Sequence, residues 1–179
     1  MAKPLVGIII GSSSDLKVAS KATELLTEFG VEFEVGIASA HRTPEDVVNY
    51  AQSAEERGVK VILAMAGLSA ALPGVIAAHT TLPVLGVPVA SGPLAGSEAL
   101  LAITQMPPGI PVGATGIDGA KNAALLALRI LGLSDRKIRD ELASWSLRSA
   151  DQVRKSRAKI LEMGDMPPVP SQVFLPVEK

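Results

Sequence analysis

Apolar and polar positions follow two distinct patterns along the first 131 residues of the chain. Short segments are apolar almost throughout, which is typical of strands buried on both faces of a sheet. Between them, apolar residues recur at intervals of three or four, as at Val18, Ala22 and Leu25, which indicates helices. The predicted strands are Pro4–Ile10, Glu32–Ile37, Val59–Ala64, Pro83–Val87 and Pro111–Thr115, and the predicted helices are Asp15–Phe29, Pro44–Arg57 and Ala120–Leu131.

Helices between buried strands predict an α/β fold, in which helices cover both faces of a parallel sheet. Open sheets of this kind bind their ligands beyond the carboxyl ends of the strands. The candidate binding loops are therefore the segments that follow strands and are rich in Gly, Ser, Ala or Pro, namely Gly11–Asp15, Ala38–Thr43, Met65–Pro73 and Pro88–Gly96.

Charged residues become frequent after the last predicted helix. Ser134–Met163 carries apolar residues such as Ile138 and Leu142 at helical spacing. At about 1.5 Å per residue, one helix of this length would be longer than the sheet of a small domain. We therefore expect a catalytic domain at residues 1–133, and at 134–179 a helical arm with an extended Pro-rich tail that packs on a neighbouring subunit. A helix folded back on its own domain is the alternative.

The composition narrows the class of protein. Apolar residues make up 47% of the chain, which suggests that apolar surface is buried between subunits. No apolar segment reaches the roughly 20 residues that span a bilayer, and the apolar segment near the N-terminus is too short for a secretory signal. The net charge of −1 and the 3% of aromatic residues give no support to nucleic-acid binding. We expect a cytoplasmic homo-oligomer without a membrane partner.

The inventory of reactive residues is short. The chain has no cysteine, so disulfides, thiolate catalysis and Cys-ligated metals are excluded. Its two histidines, His41 and His79, lie 38 positions apart and cannot supply a histidine-rich metal site within one chain. A Gly-Lys-Ser/Thr phosphate loop and a Gly-x-Gly-x-x-Gly dinucleotide fingerprint are both missing. We therefore expect neither a metal nor an organic cofactor.

The first candidate loop, Gly11–Asp15, follows a buried strand and opens a helix. Its serines and the free backbone N–H groups of the helix start suit a phosphate. The carboxylate of Asp15 would repel a phosphate but could accept hydrogen bonds from ribose hydroxyls. An ordinary Ser/Asp cap of the helix explains the same residues equally well.

The second candidate loop holds His41 and Arg42 just before a helix. Thr43 and Pro44 account for the start of that helix, as cap and first helical residue. They do not account for the neighbouring histidine and arginine. Arg42 could bind a phosphate, and His41 could carry a proton at neutral pH, because the reference pKa of a histidine side chain is about 6.5. A surface His-Arg pair without a function is the alternative.

The third candidate loop, Met65–Gly74, is small and almost free of charge. Such a loop could line a dry, narrow pocket with backbone N–H groups, and a small apolar molecule such as CO₂ would fit there. Tight packing of the loop on the strand is the alternative. His79 follows this segment and is expected at the end of a helix near the last carbonyl groups, rather than in catalysis.

Taken together, these motifs resemble the PurE family. The resemblance covers residues 5 to 132, in order and at fitting spacings. Ser-Ala-His-Arg-Thr-Pro is its most specific motif. The matching motifs are Gly-Ser-Ser-Ser-Asp at 11–15, Ser-Ala-His-Arg-Thr-Pro at 39–44, Leu-Pro-Gly at 72–74, Leu-Pro-Val-Leu-Gly-Val-Pro-Val at 82–89, Gln-Met-Pro-Pro-Gly-Ile-Pro-Val at 105–112 and Asn-Ala-Ala-Leu-Leu-Ala at 122–127.

The resemblance implies a flavodoxin-like three-layer α/β/α fold and a homo-octamer with active sites at subunit contacts. It implies a mutase that converts N5-carboxyaminoimidazole ribonucleotide to 4-carboxy-5-aminoimidazole ribonucleotide in purine synthesis, without metal or organic cofactor. By matching motif, His41 would be the general acid and base. The expected substrate-binding residues are Ser14, Ser39 and Arg42 for the phosphate, Asp15 for the ribose, Ser12 beside them, and Gly67 and Ser69 in the third loop.

One position departs from the mutase pattern. Ala71 stands where mutase-type relatives usually have a histidine, in Ala-Ala-His-Leu-Pro-Gly. The other branch of the family carboxylates aminoimidazole ribonucleotide with free CO₂. It shares Ser69 and the missing histidine, but its characteristic Arg and Asn are absent here. The mutase remains the favoured prediction, with the carboxylase as the alternative. A non-enzymatic nucleotide-binding module of flavodoxin type is the rival from another class.

Overall fold

The computed structural model describes residues 3–163 and 167–174. The chain divides into two compact units, Met1–Arg139 and Asp140–Lys179. The boundary predicted from composition, after residue 133, remains a prediction. Across residues 3–163 and 167–174, no helix combines the length and the apolar character needed to cross a membrane.

The described part of the first unit contains one sheet of five parallel strands in the order β2-β1-β3-β4-β5. In the register, Ile8 of β1 lies beside Val35 of β2 and Leu63 of β3. This strand order is the flavodoxin-like one, so the predicted fold class is confirmed. The strands are β1 Val6–Ile10, β2 Phe33–Ile37, β3 Val61–Ala66, β4 Val84–Pro88 and β5 Gly113–Ala114.

Seven α-helices occur in the described residues, and two of them have the predicted bounds. These two are α2, Pro44–Arg57, and α5, Ala120–Leu131. No bounds were predicted for the short helices α3 and α4, although a helix ending near His79 was expected, because segments of seven and eight residues show too little periodicity to distinguish them from loops. The remaining helices are α1 Leu16–Glu28, α3 Leu72–Ala78, α4 Ser97–Thr104, α6 Arg136–Ser156 and α7 Ala158–Glu162.

The three central strands explain why the sheet carries helices on both faces. Every residue of β1, β3 and β4 is buried. Neighbouring residues of a strand point to opposite faces, so Ile62 packs toward α2 and α3 while Leu63 points to the face where α1 packs on α5. The edge strand β2 is half-buried to exposed along its length. The loops that follow these strands therefore project from a rigid frame.

The predicted long C-terminal helix is confirmed as α6, but it spans Arg136–Ser156 rather than the whole of Ser134–Met163. It begins only at Arg136, because the Asp135 carboxylate accepts hydrogen bonds from the N–H groups of Lys137 and Ile138 at 2.9 and 3.2 Å. It ends at Ser156, and a separate helix, α7, follows Arg157.

The Arg157 guanidinium lies 3.9 Å from the ring centroid of Phe174, which is a cation–π contact. Phe174 closes a 3₁₀ turn, Ser171–Phe174, in the tail that was predicted as extended, so that prediction is wrong at these four residues. Residues 164–166 and 175–179 of the predicted arm and tail lie outside the described residues.

Candidate active site

A cavity of about 500 Å³ opens at the carboxyl ends of β1, β2 and β3. The strand order reverses between β1 and β3, which is the place where open α/β sheets bind ligands. The cavity is lined by the loops after these three strands and by Ser91, which follows β4. It brings together all eight residues expected to form the site, Ser12, Ser14, Asp15, Ser39, His41, Arg42, Gly67 and Ser69.

The first loop forms a turn of 3₁₀ helix before α1. The Ser12 hydroxyl accepts a hydrogen bond from the Ser14 N–H at 3.4 Å, so the capping explanation holds for Ser12. Asp15 makes no side-chain cap bond to α1. It accepts instead from the Ser14 hydroxyl at 3.0 Å.

Asp15 stands out by its burial. The residue is 6% exposed, and it is the one buried charged residue in the part of the chain that the structure describes. Burying a carboxylate is costly unless donors approach it, and one donor, from Ser14, is in place. The carboxylate lines the cavity, where hydroxyl groups of a ligand could supply further donors.

The second loop is closed by reciprocal hydrogen bonds between Ser39 and Thr43. The Ser39 N–H donates to the Thr43 hydroxyl at 3.0 Å, and the Thr43 N–H donates to the Ser39 carbonyl at 2.8 Å. Thr43 is the N-cap residue of α2, as predicted, with Pro44 after it, but its side chain makes no capping bond. Its hydroxyl is committed to the loop instead. The closure holds His41 and Arg42 at the rim of the cavity.

Arg42 ties the second loop to the first. Its Nε donates to the Ser39 hydroxyl at 3.4 Å, and its Nη2 donates to the Gly11 carbonyl oxygen at 3.1 Å. The guanidinium is exposed and lines the cavity, so further N–H groups can reach a ligand. His41 is likewise exposed at the cavity, where its imidazole can exchange protons with water or with a ligand.

The third loop begins two residues later than predicted, because Met65 and Ala66 belong to β3. Gly67 allows this loop to touch the segment after β4. A Cβ atom at position 67 would overlap the Ser91 hydroxyl and lie 3.1 Å from the Val89 carbonyl oxygen. Gly67 is therefore required for close packing at the cavity wall, whether or not its N–H group also contacts a ligand.

Two residues of this wall were missed by sequence reasoning. Leu68 has a φ of 53°, in the left-handed region that costs a non-glycine residue roughly 1–2 kcal/mol. Ser91 belongs to the fourth candidate loop, where nothing in its small neighbours distinguished it.

Ala71, at the departure from the mutase pattern, lines the same cavity. His79 lines a different one, and it ends α3 with its N–H bonded to the Ile76 carbonyl, as predicted.

A family model described as AIR carboxylase matches residues 5–152. The chain belongs to the AIR carboxylase family. The match confirms the predicted PurE resemblance and extends it by twenty residues beyond position 132. An enzyme is thereby favoured over a non-enzymatic nucleotide-binding module.

Individual proteins that are similar to this chain carry names that agree with the family match. The N5-carboxyaminoimidazole ribonucleotide mutase of Pyrococcus horikoshii is 54% identical over 162 residues, which cover 90% of this chain and 92% of the relative. The phosphoribosylaminoimidazole carboxylase of Saccharomyces cerevisiae is 49% identical over 92% of this chain, but the match spans 29% of that longer protein. The crystal structure of Treponema denticola PurE superposes with a TM-score of 0.79 at 34% identity, covering 88% of this chain and 99% of that one.

Proposed function

We propose that this chain is an N5-carboxyaminoimidazole ribonucleotide mutase, which moves the carboxylate from the amino nitrogen to the ring carbon in purine synthesis. The observation that carries the proposal is the single cavity that joins His41, Arg42 and the buried Asp15. The 54% identity to a mutase over 90% of the chain supports the same activity.

The nucleotide would be held by its phosphate and ribose. Ser14, Ser39 and Arg42 surround the phosphate in the proposal, with Ser12 shaping the turn beside them. Arg42 is already oriented by its bonds to Ser39 and Gly11, so less side-chain freedom is lost when a phosphate binds. Asp15 accepts hydrogen bonds from the ribose hydroxyls.

His41 carries one proton through the reaction. Its imidazolium protonates the carbamate nitrogen, the N–C bond breaks with its electron pair on nitrogen, and neutral CO₂ is released. The electron-rich ring carbon then attacks CO₂ and forms the new C–C bond. His41 removes the proton from that carbon, which restores the aromatic ring and the imidazolium. Protons therefore balance over the cycle, and no energy source is consumed.

The third loop would retain the released CO₂. Its residues from Gly67 to Ala71 bring no charged side chain to the cavity, and Ser69 and the backbone supply the only polar groups of this segment. A confined molecule reacts at a high effective concentration and need not be captured again from solution.

Direct carboxylation of aminoimidazole ribonucleotide by free CO₂ is the second candidate. Ala71 favours it, because the side chain at this cavity-lining position is a methyl group in place of the histidine usual in mutases. The 49% identity to a phosphoribosylaminoimidazole carboxylase is in keeping with it. Both candidates share the anchoring residues and the final proton transfer to His41.

The proposal includes a homo-octamer in the cytoplasm, with the segment at 134–179 packed on a neighbouring subunit. Exposed apolar side chains support association: Leu94 is 61% exposed and Leu101 58% in the first unit, and Leu147 of the second unit is 69% exposed. Light scattering coupled to size-exclusion chromatography measures the assembly.

Separate substrates distinguish the two activities. The purified protein is offered either the N-carboxylated ribonucleotide, or aminoimidazole ribonucleotide with bicarbonate at high and low CO₂. A mutase forms the 4-carboxy product from the first substrate at low CO₂. Product formation only from the second, in proportion to CO₂, would establish the carboxylase instead, and no product from either would refute the assignment.

A further inference from the structure

Leu68 holds an unusual position in the cavity wall. It lines the cavity, the residue is 54% exposed, and its backbone is left-handed with a φ of 53°. Residues other than glycine rarely adopt this conformation, and observed strain of this kind concentrates at functional sites. A leucine in this backbone conformation lowers the stability of the fold, so we expect its side chain to make a contact that offsets this cost.

That side chain meets a glycine of the neighbouring loop. Gly92 follows β4 and has a φ of 68°. A Cβ atom built on Gly92 would lie 2.7 Å from Cδ2 of Leu68, closer than carbon atoms pack. The leucine methyl therefore occupies space that only a glycine at position 92 leaves free. The contact joins the third candidate loop to the fourth at the cavity edge, beside Gly67 and Ser91.

We propose that Leu68, seated on Gly92, is a positioning residue that closes the apolar side of the cavity and keeps the released CO₂ beside the nucleotide. The inference rests on the proposed mutase activity. The mutase reaction requires the CO₂ freed from the amino nitrogen to stay until the ring carbon attacks it. CO₂ has no net charge and forms only weak hydrogen bonds, so a hydrocarbon wall retains it by shape and by excluding water.

The loops after β1 and β2 then have a different role from the loop after β3. In the proposal, Ser12, Ser14, Ser39 and Arg42 lie on the loops after β1 and β2 and fix the nucleotide, whereas Leu68 lies on the loop after β3 and packs on Gly92. Loss of the leucine should leave nucleotide affinity unchanged and raise the escape of CO₂. The escape of CO₂ is measured as the fraction of product molecules that have lost the label. This fraction does not depend on the amount of folded enzyme.

Isotope retention measures this ratio. The N-carboxylated ribonucleotide is supplied with a ¹³C carboxylate, in excess unlabelled bicarbonate with carbonic anhydrase, so that any CO₂ that escapes is diluted. The fraction of ¹³C in the 4-carboxy product is read by mass spectrometry, with an enzyme-free blank for spontaneous decarboxylation. We expect Leu68→Gly, which also relieves the backbone, to lose label severalfold more often than the parent enzyme, at an unchanged KM for the nucleotide.

Two further variants sharpen the result. Gly92→Ala should displace the Leu68 side chain and raise label loss, and it should add nothing further in the Leu68→Gly background. Leu133→Gly changes a leucine that is 83% exposed in a turn after α5 and should retain label like the parent.

Equal label retention in Leu68→Gly and the parent would overturn the role of Leu68. A parent that forms no product from the N-carboxylated substrate would overturn the mutase proposal itself, and this inference with it.

Discussion

The Nη2 of Arg42 donates a hydrogen bond to the carbonyl oxygen of Gly11 at 3.1 Å, across 31 positions of sequence. This bond joins the loop after β2 to the loop after β1 at the mouth of the cavity. It leaves the guanidinium oriented before any ligand arrives, since Ser39 holds its Nε from the other side.

We expect Arg42→Ala to weaken nucleotide binding by about 10- to 100-fold, because it removes charge-assisted hydrogen bonds worth roughly 1.5–3 kcal/mol. Isothermal titration with the product nucleotide measures the change. Arg42→Lys keeps the charge but loses the planar fork, so it should recover only part of the affinity. An Arg42→Ala variant that binds as tightly as the parent would contradict the phosphate assignment.

His41→Asn should reduce kcat by at least 10²-fold, the usual contribution of a positioned acid or base, while nucleotide affinity stays close to that of the parent. Asparagine keeps a polar side chain of similar reach but cannot carry a proton. Steady-state kinetics and a binding titration on the same sample separate the two effects. His79→Asn is the matched control, because His79 lines another cavity, and it should retain full turnover. Turnover retained in His41→Asn would remove His41 from its role.

Gly67→Ala should lower kcat/KM and cost about 1–3 kcal/mol of stability, as overpacking commonly does. The added Cβ would overlap the Ser91 hydroxyl and press on the Val89 carbonyl, so the wall must move outward. Urea denaturation and steady-state kinetics report the two effects. Gly116→Ala serves as control, since nothing lies within 4 Å of a Cβ there. If Gly67→Ala and Gly116→Ala both kept the stability and the kcat/KM of the parent, the close packing at Gly67 would matter for neither.

Glu34 and Arg57 link β2 to α2 through a forked ion pair, with Arg57 Nη2 2.7 Å from Glu34 Oε1 and its Nε 3.2 Å from both carboxylate oxygens. The hydrogen bonds from Arg57 lower the pKa of Glu34 from its usual 4.5. Because the folded-state pKa is the lower one, the pair stabilises the fold above about pH 4.5, and this contribution is lost as the pH falls through the folded-state pKa.

Glu34→Gln should therefore lower stability at neutral pH, by roughly 1 kcal/mol at most for a partly exposed pair, and the difference should vanish in acid. Melting temperatures of both proteins between pH 3 and pH 7 test this. Exposed Glu24, on α1, provides the control substitution Glu24→Gln, which should parallel the parent throughout. A deficit in Glu34→Gln that does not shrink as the pH falls below 4.5 would show that the ion pair is not its source.

Much of the frame could be predicted from the sequence because it depends on local pattern. Fully apolar segments gave β1, β3 and β4 to within two residues at each end, and the 3.6-residue period gave α2 and α5 with their observed bounds. The site residues of the first two loops were found for a related reason. His41 and Arg42 follow a predicted strand and are not needed to start the next helix, and in a parallel sheet the ends of neighbouring strands meet.

The remainder was decided by tertiary structure, because it depends on distances between loops that are far apart in sequence. The left-handed Leu68 faces Gly92 only once β3 and β4 are paired, and Arg42 reaches Gly11 only once β2 lies beside β1. Thr43 illustrates the same point, since its hydroxyl could cap a helix or close a loop, and the folded geometry of Ser39 selects the second. A sequence states which groups are available, whereas only packing determines which of them come within bonding distance.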